Sequence, residues 1–289
     1  MSYIDGIYFR IRGFWDYSKV KLAYKSIYKI LNTPSEINAF REQNINKKSV
    51  IDLKGKIEFK NVSFSYPTKP TKRILRNVSF IIPPGKKVAI VGSSESGKST
   101  IIQLINRFYE VNSGELLIDD TNIKDYNLFE LRKKIGFMNQ EPVIFKRSLF
   151  DNILYGKLDS NKEEVFNAAQ KACINEFLND RYDYDDHLIS EGQKQRIILS
   201  RLFLKNPDIL LLENVTSSLD KENKNAILKS ISEFQSGKTL IAVTHNLGNI
   251  TDYDIILFME KGRLLEQGTH KELLEKKGKY YNLYQKYKK

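Results

Sequence analysis

The sequence is poor in cysteine and has no long apolar run. Cys173 is the single cysteine of the 289 residues. One cysteine excludes a disulfide framework and a cysteine metal site within the chain, and it favours a reducing compartment. No apolar run approaches the roughly 18–20 residues that a membrane span requires, and the N-terminus lacks the apolar stretch of a secretory signal. We therefore expect the chain by itself to be soluble or peripheral to a membrane.

Acidic residues are outnumbered by basic ones. The sequence has 47 Lys and Arg against 35 Asp and Glu, which leaves a net charge of +12. Such an excess favours polyanionic surroundings such as an anionic membrane, nucleic acid or a nucleotide, although a solvated lysine-rich surface explains it as well. Arginines interleaved with aromatic residues in a recognisable nucleic-acid module are not apparent. We therefore expect no nucleic-acid partner.

The most informative segment is Gly92-Ser93-Ser94-Glu95-Ser96-Gly97-Lys98-Ser99, which is followed by Thr100. It fits the phosphate-loop pattern G-x-x-x-x-G-K-[ST]. The apolar run 88–91 before it predicts a buried parallel strand, and residues 100–109 after it predict a helix. The backbone N–H groups of such a loop and the positive end of the helix bind phosphate. We predict that Lys98 reaches the β- and γ-phosphates of a nucleotide and that Ser99 ligates Mg²⁺.

The rest of the chain alternates strand-like and helix-like segments. Strand-like runs occupy residues 57–66, 74–82, 135–138, 209–212, 239–243 and 255–259. Helical patterns occupy residues 16–31, 149 to about 180, and 270–289, with a polar linker at 38–50. This alternation predicts a parallel sheet with helices on both faces and a ligand at the carboxyl ends of its strands.

A phosphate loop also needs an acidic element that holds Mg²⁺ and orients water. The buried run 209–212 ends in Glu213-Asn214, which is the candidate. The other polar segments, in chain order, are Gln140 after the run 135–138, Ser190-Glu191-Gly192-Gln193, Ser217-Ser218-Leu219-Asp220 and Val243-Thr244-His245. With the phosphate loop, this ordered set resembles the nucleotide-binding domain of ABC transporters.

The resemblance extends from about residue 55 to residue 287 and is strongest to exporters of the P-glycoprotein, multidrug-resistance type. The stretches with that character include Phe64-Ser65-Tyr66-Pro67, Asn139-Gln140-Glu141-Pro142 and Gly268-Thr269-His270-Lys271-Glu272. It implies an α/β fold of the P-loop NTPase, ABC ATPase type, with a mostly parallel core sheet, an antiparallel β subdomain and a helical subdomain at about 145–200. Residues 51–289 would form this domain. Residues 1–50 would be the end of a membrane-domain helix plus a linker.

The resemblance also implies roles for single residues. Tyr66 would stack on adenine, where the alternative is an ordinary strand aromatic. Gln140 would contact Mg²⁺ and the attacking water, Glu213 would hold Mg²⁺, and His245 would contact the γ-phosphate. The remaining contacts to ATP would come from Ser190, Gly192, Gln193 and Asp220, with Ser190 and Gly192 reaching ATP held by a second subunit. The implied cofactors are ATP and Mg²⁺. The implied partners are a second nucleotide-binding domain and a transmembrane domain, at the cytosolic face of a membrane.

Several residues depart from the family pattern. Asn214 stands where the family usually has a glutamate that activates water, and an amide lacks comparable basicity. Glu213 replaces an aspartate, and Glu191 replaces a glycine, where its charge would repel a triphosphate. Glu95 raises the same question inside the phosphate loop, and the segment 177–190 is short for an exporter. Together these changes predict a domain that binds ATP well and hydrolyses it slowly.

Two functions remain open at this point. The chain is either the ATPase motor of an exporter or a nucleotide-gated partner subunit in which binding and dimer closure are the output. Asn214, Glu191 and the short segment favour the second function, whereas the intact phosphate loop suits either. A non-transport ABC ATPase of DNA repair or translation is disfavoured because no long coiled-coil insertion precedes Ser190.

Overall fold

A computed structural model describes residues 3–32, 52–139, 143–174, 190–215 and 221–288 of the chain. The chain divides into a short N-terminal unit that ends at Arg41 and a large unit that begins at Glu42. The proposed domain boundary at residues 50 and 51 lies outside the described residues, so the division between 1–50 and 51–289 stays a prediction.

The N-terminal unit contains one described helix, α1 (Tyr3–Asn32), which starts well before the predicted start at residue 16. Val20, Tyr24, Ile27 and Leu31 are exposed on it. These four side chains recur at helical spacing and form an exposed apolar stripe. Nowhere in the described part of the chain is a helix long and apolar enough to cross a membrane.

The large unit contains ten strands and eight helices among its described residues. In chain order these are β1 (Ile57–Phe64), β2 (Leu75–Ile82), β3 (Lys87–Gly92), α2 (Lys98–Ile105), β4 (Ser113–Ile118), β5 (Thr121–Asn122), α3 (Leu128–Lys134), β6 (Ile135–Met138), α4 (Leu149–Leu154), α5 (Lys162–Lys171), α6 (Glu191–Lys205), β7 (Ile209–Glu213), α7 (Lys221–Phe234), β8 (Thr239–Val243), β9 (Ile255–Glu260), β10 (Arg263–Gly268), α8 (His270–Glu275) and α9 (Lys279–Lys288). Short 3-10 turns occupy Ile123–Asp125 and Leu247–Asn249.

The core sheet is parallel apart from one edge strand. Its strand order is β10-β9-β3-β8-β7-β6, and β10 alone runs antiparallel, against β9. Along β3, Val88 and Ile90 enter one apolar core, whereas Ala89 and Val91 enter another. This alternation follows from the two-residue period of a strand, and it buries both faces of the sheet. The prediction of a mostly parallel core sheet is confirmed.

The two faces of the core sheet carry different layers. A second, antiparallel sheet of order β2-β1-β4-β5 shares one core with α2 and the first face. Helices α4, α5 and α6 pack on the other face below β6, β7 and β8, and α8 and α9 pack below β3 and β9. The expectations of helices on both faces and of an antiparallel β subdomain are therefore confirmed, and the antiparallel sheet shares one face with α2.

Helices α4 and α5 of the helical layer each begin with a side-chain cap. The Ser148 hydroxyl accepts a hydrogen bond from the Asp151 amide at the start of α4. Asn161 and Glu164 form a reciprocal capping box at the start of α5. The helical stretch predicted from residue 149 is thus present as two helices, because the chain turns between α4 and α5. Its predicted continuation to residue 180 passes beyond residue 174 and out of the described range.

Candidate functional site

The site is built where β3, β7 and β8 end. Because β7 and β8 are parallel and pair Glu213 with Val243, their carboxyl ends reach the same edge of the sheet. β3 pairs with β8 and ends at Gly92, at that edge too. Adjacent parallel strands therefore bring the phosphate loop, Glu213 and the loop that carries His245 together.

The phosphate loop joins β3 to α2 through two glycines that the fold requires. Gly92 has φ of 142° and Gly97 has φ of 95°, values that side chains with a Cβ rarely adopt. A Cβ on Gly92 would overlap the Met259 carbonyl, and one on Gly97 would lie 2.6 Å from Leu75 Cδ2. Both positions therefore need glycine for conformation and for space. The loop ends at Gly97, the N-cap residue of α2.

Lys98 folds back over the loop. Its ammonium donates to the carbonyl oxygens of Gly92 at 3.1 Å and Ser93 at 2.7 Å, and to the Ser96 hydroxyl at 3.4 Å. Burial lowers the pKa of Lys98, and the negative charge of Glu213 opposes that shift. The ammonium and the Glu213 carboxylate are therefore electrostatic neighbours. Phosphate oxygens can replace the weak carbonyl contacts as stronger, charge-assisted partners.

The loop's central side chains face solvent. Ser93, Ser94 and Glu95 are exposed, whereas Ser96 and Lys98 are buried and Ser99 is half-buried. Glu95 has φ of 59°, and its carboxylate lies 3.4 Å from Lys72 Nζ. The acidic side chain of the loop therefore points outward and is partly neutralised. Its charge is a weaker obstacle to phosphate than the sequence alone suggested.

Asn214 turns the chain sharply after β7. It adopts φ of 51°, and its backbone N–H donates a hydrogen bond to the Val243 carbonyl at 2.9 Å. Asparagine is one of the few residues other than glycine that visits this left-handed region readily. The residue at the water-activating position thus also has a backbone role, because it fixes the exit of β7 against the end of β8.

His245 follows β8 and lies near the phosphate loop. The residue is exposed, and its pKa is lowered first by partial desolvation and second by the positive charge of Lys98. A neutral imidazole can donate and accept a hydrogen bond at the same time. The position predicted for a γ-phosphate contact therefore lies within electrostatic reach of the lysine that would bind the same phosphate.

Tyr66 lies just past the end of β1 and contacts α2. Its hydroxyl is 2.9 Å from the Thr100 hydroxyl oxygen and donates to Gln103 Oε1 at 2.7 Å. Its ring meets Phe64 and Tyr109 edge-on, with centroids 5.0 and 5.2 Å away. Burial raises the pKa of Tyr66. The residue therefore makes the contacts of an ordinary strand aromatic while lying beside the phosphate-loop helix, where an adenine platform would have to be.

The segment Ser190–Gln193 forms the start of α6. The Ser190 hydroxyl accepts from the Gln193 amide at 3.3 Å, and Gln193 Oε1 accepts from the Ser190 amide at 2.9 Å. Ser190 and Glu191 are exposed, while Gly192 is half-buried. The positive end of the α6 dipole favours an acidic residue in the first turn. Glu191 therefore has a local structural reason for its charge, which was not apparent from the family pattern.

Comparison with known proteins shows which family this chain resembles. Residues 75–217 match the family model described as ABC transporter. Over 275 residues the chain is 38% identical to ABC transporter B family member 2 of Dictyostelium discoideum, and over 278 residues it is 39% identical to multidrug resistance protein 1 of Entamoeba histolytica. These matches cover 93% of this chain but 20% and 21% of the relatives. The chain thus spans about a fifth of the length of these relatives.

A solved structure gives the same result at the level of the fold. The structure of a bacterial Atm1-family ABC exporter with ATP bound matches with a TM-score of 0.85 and 33% identity, over 93% of this chain and 47% of that chain. This chain belongs to the ABC transporter family. Its large unit has the fold of an ABC nucleotide-binding domain.

Two predicted site residues of the ABC domain, Gln140 and Asp220, lie outside the described residues. Their roles stay predictions. The other candidates fall into two groups. The phosphate loop, Glu213, Asn214 and His245 meet at one sheet edge, with Tyr66 beside α2, whereas Ser190, Gly192 and Gln193 form a separate helix start.

Gln103 supports a predicted site residue, and sequence reasoning missed it. It accepts the hydrogen bond of the Tyr66 hydroxyl from α2 and so joins the predicted adenine platform to the phosphate-loop helix. The signal was present, because Gln103 is the one polar residue between Ile101 and Ile105. A polar side chain within an otherwise apolar helix segment needs a partner, and Tyr66 is that partner.

Proposed function

We propose that this chain is the ATP-binding domain of an exporter and that it drives or gates transport across a membrane by ATP-dependent dimerisation. One observation carries the proposal. Lys98, Glu213 and His245 come from three separate segments and meet at the carboxyl edge of the core sheet. The charge of Lys98 helps to lower the pKa of His245, and the charge of Glu213 opposes the lowering of the pKa of Lys98 by burial. The similarity to B-family and multidrug resistance proteins supports transport as the output.

ATP binding would use groups that are already in place. The amides of the loop and the start of α2 would face the phosphates, and the Lys98 ammonium would exchange its carbonyl contacts for phosphate oxygens. The Tyr66 ring, held by its hydroxyl on Thr100 and Gln103, would stack on adenine. Binding therefore requires little rearrangement beyond the movement of one lysine head group.

The described residues fit a nucleotide-bound Mg²⁺. No group of three or more His, Cys, Asp and Glu side chains in the described ranges could hold a metal by itself. Ser99 and Glu213 offer one hydroxyl and one carboxylate, which suits Mg²⁺ because this ion usually takes few protein ligands together with phosphate oxygens. When bound, Mg²⁺ would neutralise charge on the phosphates. The Glu213 carboxylate would orient it from the end of β7.

Dimerisation would complete the site from a second subunit. Ser190, Gly192 and Gln193 lie at the α6 start and would reach ATP held by the partner domain, with Gly192 offering a backbone amide. A transmembrane domain would be the second partner, and the chain would then lie at the cytosolic face of a membrane. The exposed apolar stripe of α1 supports the interpretation of residues 1–50 as the end of a membrane-domain helix.

Hydrolysis would be slow because Asn214 supplies no general base. The loss of such a base typically lowers a rate by about 10²- to 10⁴-fold. Neutral His245 lies across the same edge and can hold a water or a phosphate oxygen, which would leave residual turnover. Asn214 therefore also favours a second candidate function, a hydrolysis-deficient partner subunit gated by nucleotide binding.

Sedimentation velocity tests the proposed function. We expect monomer without nucleotide, dimer with ATP and Mg²⁺, and monomer for Lys98→Ala under the same conditions. Wild-type chain that stays monomeric in saturating ATP, or a dimer that forms equally well without nucleotide, would contradict ATP-driven dimerisation.

A further inference from the structure

The loop that carries His245 is hydrogen-bonded to the C-terminal helix α9. The Asn246 side-chain carbonyl accepts a hydrogen bond from the Tyr287 hydroxyl at 2.7 Å and from the Gly248 amide at 3.1 Å. The Asn246 amide donates to the Thr244 hydroxyl oxygen at 3.0 Å. His245 therefore lies between Thr244 and Asn246, which are hydrogen-bonded to each other. Tyr287 connects this pair to α9.

Gly248 provides the space for this contact. A Cβ on Gly248 would lie 2.9 Å from the Tyr287 hydroxyl oxygen and 3.4 Å from Asn246 Oδ1. Gly248 does not have a positive φ, so its backbone conformation does not itself require glycine. A Cβ at this position would instead require the Tyr287 hydroxyl to move by a few tenths of an ångström. The lack of a side chain on Gly248 therefore leaves room for the hydrogen bond between Tyr287 and Asn246 at its present length.

Helix α9 is anchored well enough to hold the loop. The amides of Lys279 and Tyr280 donate to the Glu266 carboxylate of β10 at 2.5 and 3.2 Å. Tyr280 and Tyr284 are buried in the core below β3 and β9. The Tyr284 and Tyr287 rings stack with centroids 6.4 Å apart. The Tyr287 hydroxyl therefore projects from a helix that is fixed both at its start and along its length.

We propose that Tyr287, Asn246 and Gly248 form a C-terminal clamp that positions His245 for the γ-phosphate. The inference rests on the proposed function, which gives His245 its role. Tyr287 is a positioning residue, since it acts through Asn246. Without the clamp, the loop after β8 would sample more conformations and His245 would spend less time in place. ATP affinity would change little, because the phosphate loop and Tyr66 carry most of the binding.

Removal of one hydroxyl tests the clamp. Tyr287→Phe is expected to speed amide hydrogen exchange at residues 246–250 by about two- to tenfold, the scale of one lost hydrogen bond. It is expected to lower kcat by a similar factor and to leave KM for ATP unchanged. Tyr281→Phe, which removes a hydroxyl from the same helix but leaves the Asn246 contact intact, is the control. Exchange and kcat at wild-type values in Tyr287→Phe would overturn the proposal.

A double-mutant cycle tests the geometry of the clamp. Gly248→Ala should displace the Tyr287 hydroxyl and reproduce both effects in the wild-type chain. In the Tyr287→Phe chain the same change should be nearly silent, because the closest atom it meets is absent. Additive effects of the two changes would overturn the clamp.

Failure of the clamp and failure of the proposed function remain distinguishable. Amide exchange is measured without nucleotide and reports the clamp alone, whereas ATP binding of the Lys98→Ala chain reports the nucleotide site alone. Faster exchange in Tyr287→Phe with an unchanged kcat would overturn the positioning of His245.

Discussion

At the scale of single residues, Asn214 combines two properties that point in different directions. Its amide cannot act as a base, yet its φ of 51° is a conformation that asparagine tolerates and glutamate tolerates poorly. The usual glutamate would therefore face about 1–2 kcal/mol of backbone strain at this position unless the turn after β7 changed. Asparagine at position 214 thus suits the local backbone, but it weakens the activation of water.

A series of substitutions at Asn214 separates these two effects. Asn214→Asp restores a carboxylate and keeps the left-handed backbone, Asn214→Glu restores the longer carboxylate, and Asn214→Gln lengthens the amide alone. We expect the two acids to raise kcat by roughly tenfold or more with little change in ATP affinity, and Gln to give no gain. Steady-state ATPase assays measure kcat, and ATP titrations of the same variants measure the affinity. A fast wild-type rate that neither acid changes would contradict slow hydrolysis through Asn214.

The predictability of the site residues follows from how local their signals are. Lys98 and Ser99 could be predicted because the phosphate-loop pattern is contiguous in sequence. The αL conformation of Asn214 and the contact of Tyr66 with Gln103 could not, since each depends on a partner in another element. Glu95 shows the same limit, because its outward orientation depends on the loop's conformation and on Lys72.

At the scale of elements, the phosphate loop depends on glycine at its junction with α2. Gly97→Ala would combine φ of 95° with a Cβ 2.6 Å from Leu75 Cδ2. Gly237→Ala is a matched control, because Gly237 has φ of 77° and no atom near its Cβ position. We expect the control to lower the free energy of unfolding by about 1 kcal/mol and to keep ATP binding. Gly97→Ala should cost more stability and lose ATP binding, as urea unfolding and titration calorimetry would show. Equal effects of the two variants would contradict the steric role of Gly97.

The start of α6 balances helix stability against dimerisation. Glu191 lies in the first turn, where the helix dipole favours its charge, yet the proposed dimer brings this turn to the partner's triphosphate. Glu191→Gln should therefore strengthen ATP-driven dimerisation by about two- to fivefold, the scale of an exposed charge pair. Melting temperature should fall slightly. Concentration-dependent sedimentation in ATP measures the first effect, and a weaker dimer would argue against this placement of Glu191.

Strands were predicted from sequence in proportion to their burial. The apolar runs of β3, β7, β8 and β9 identify them because both faces of the core sheet are covered. β10 was missed because it alternates exposed and half-buried residues at the sheet edge. β4 was missed since only its second half is buried. β10, at the edge of its sheet, and β4, between β1 and β5, gain their structure from pairing, which a single segment does not show.

At the scale of the whole molecule, two histidines make stability depend on pH. Burial lowers the pKa of both His245 and His270, with smaller contributions from Lys98 and Lys288. The unfolded chain then binds protons more readily, so stability is full above about pH 6.5 and falls as the pH drops through the lowered folded values. Urea unfolding at pH 7.5 and 5.5 should show this loss. His245→Asn and His270→Asn should each reduce it, and an unchanged difference in the double variant would contradict the assignment.

The overall topology could be predicted mainly through the family resemblance. Periodicity indicated a parallel α/β core, but the second sheet and its position against α2 depend on long-range pairing of β1 with β4. The contact of α9 with the His245 loop is likewise invisible in sequence, because Tyr287 and Asn246 are 41 residues apart. What the sequence leaves open is thus concentrated where distant segments meet.

Titration calorimetry with ATP and Mg²⁺ tests the central claim, that this chain binds ATP through the loop that Lys98 closes. The account predicts saturable binding to the wild-type chain and an affinity lower by about 10- to 150-fold in Lys98→Ala, the effect of losing a charge-assisted contact worth roughly 1.5–3 kcal/mol. Lys72→Ala, which removes the partner of Glu95 at the rim of the loop, should bind within about twofold of wild type because an exposed ion pair contributes little. Wild-type affinity in the Lys98→Ala chain would contradict the account.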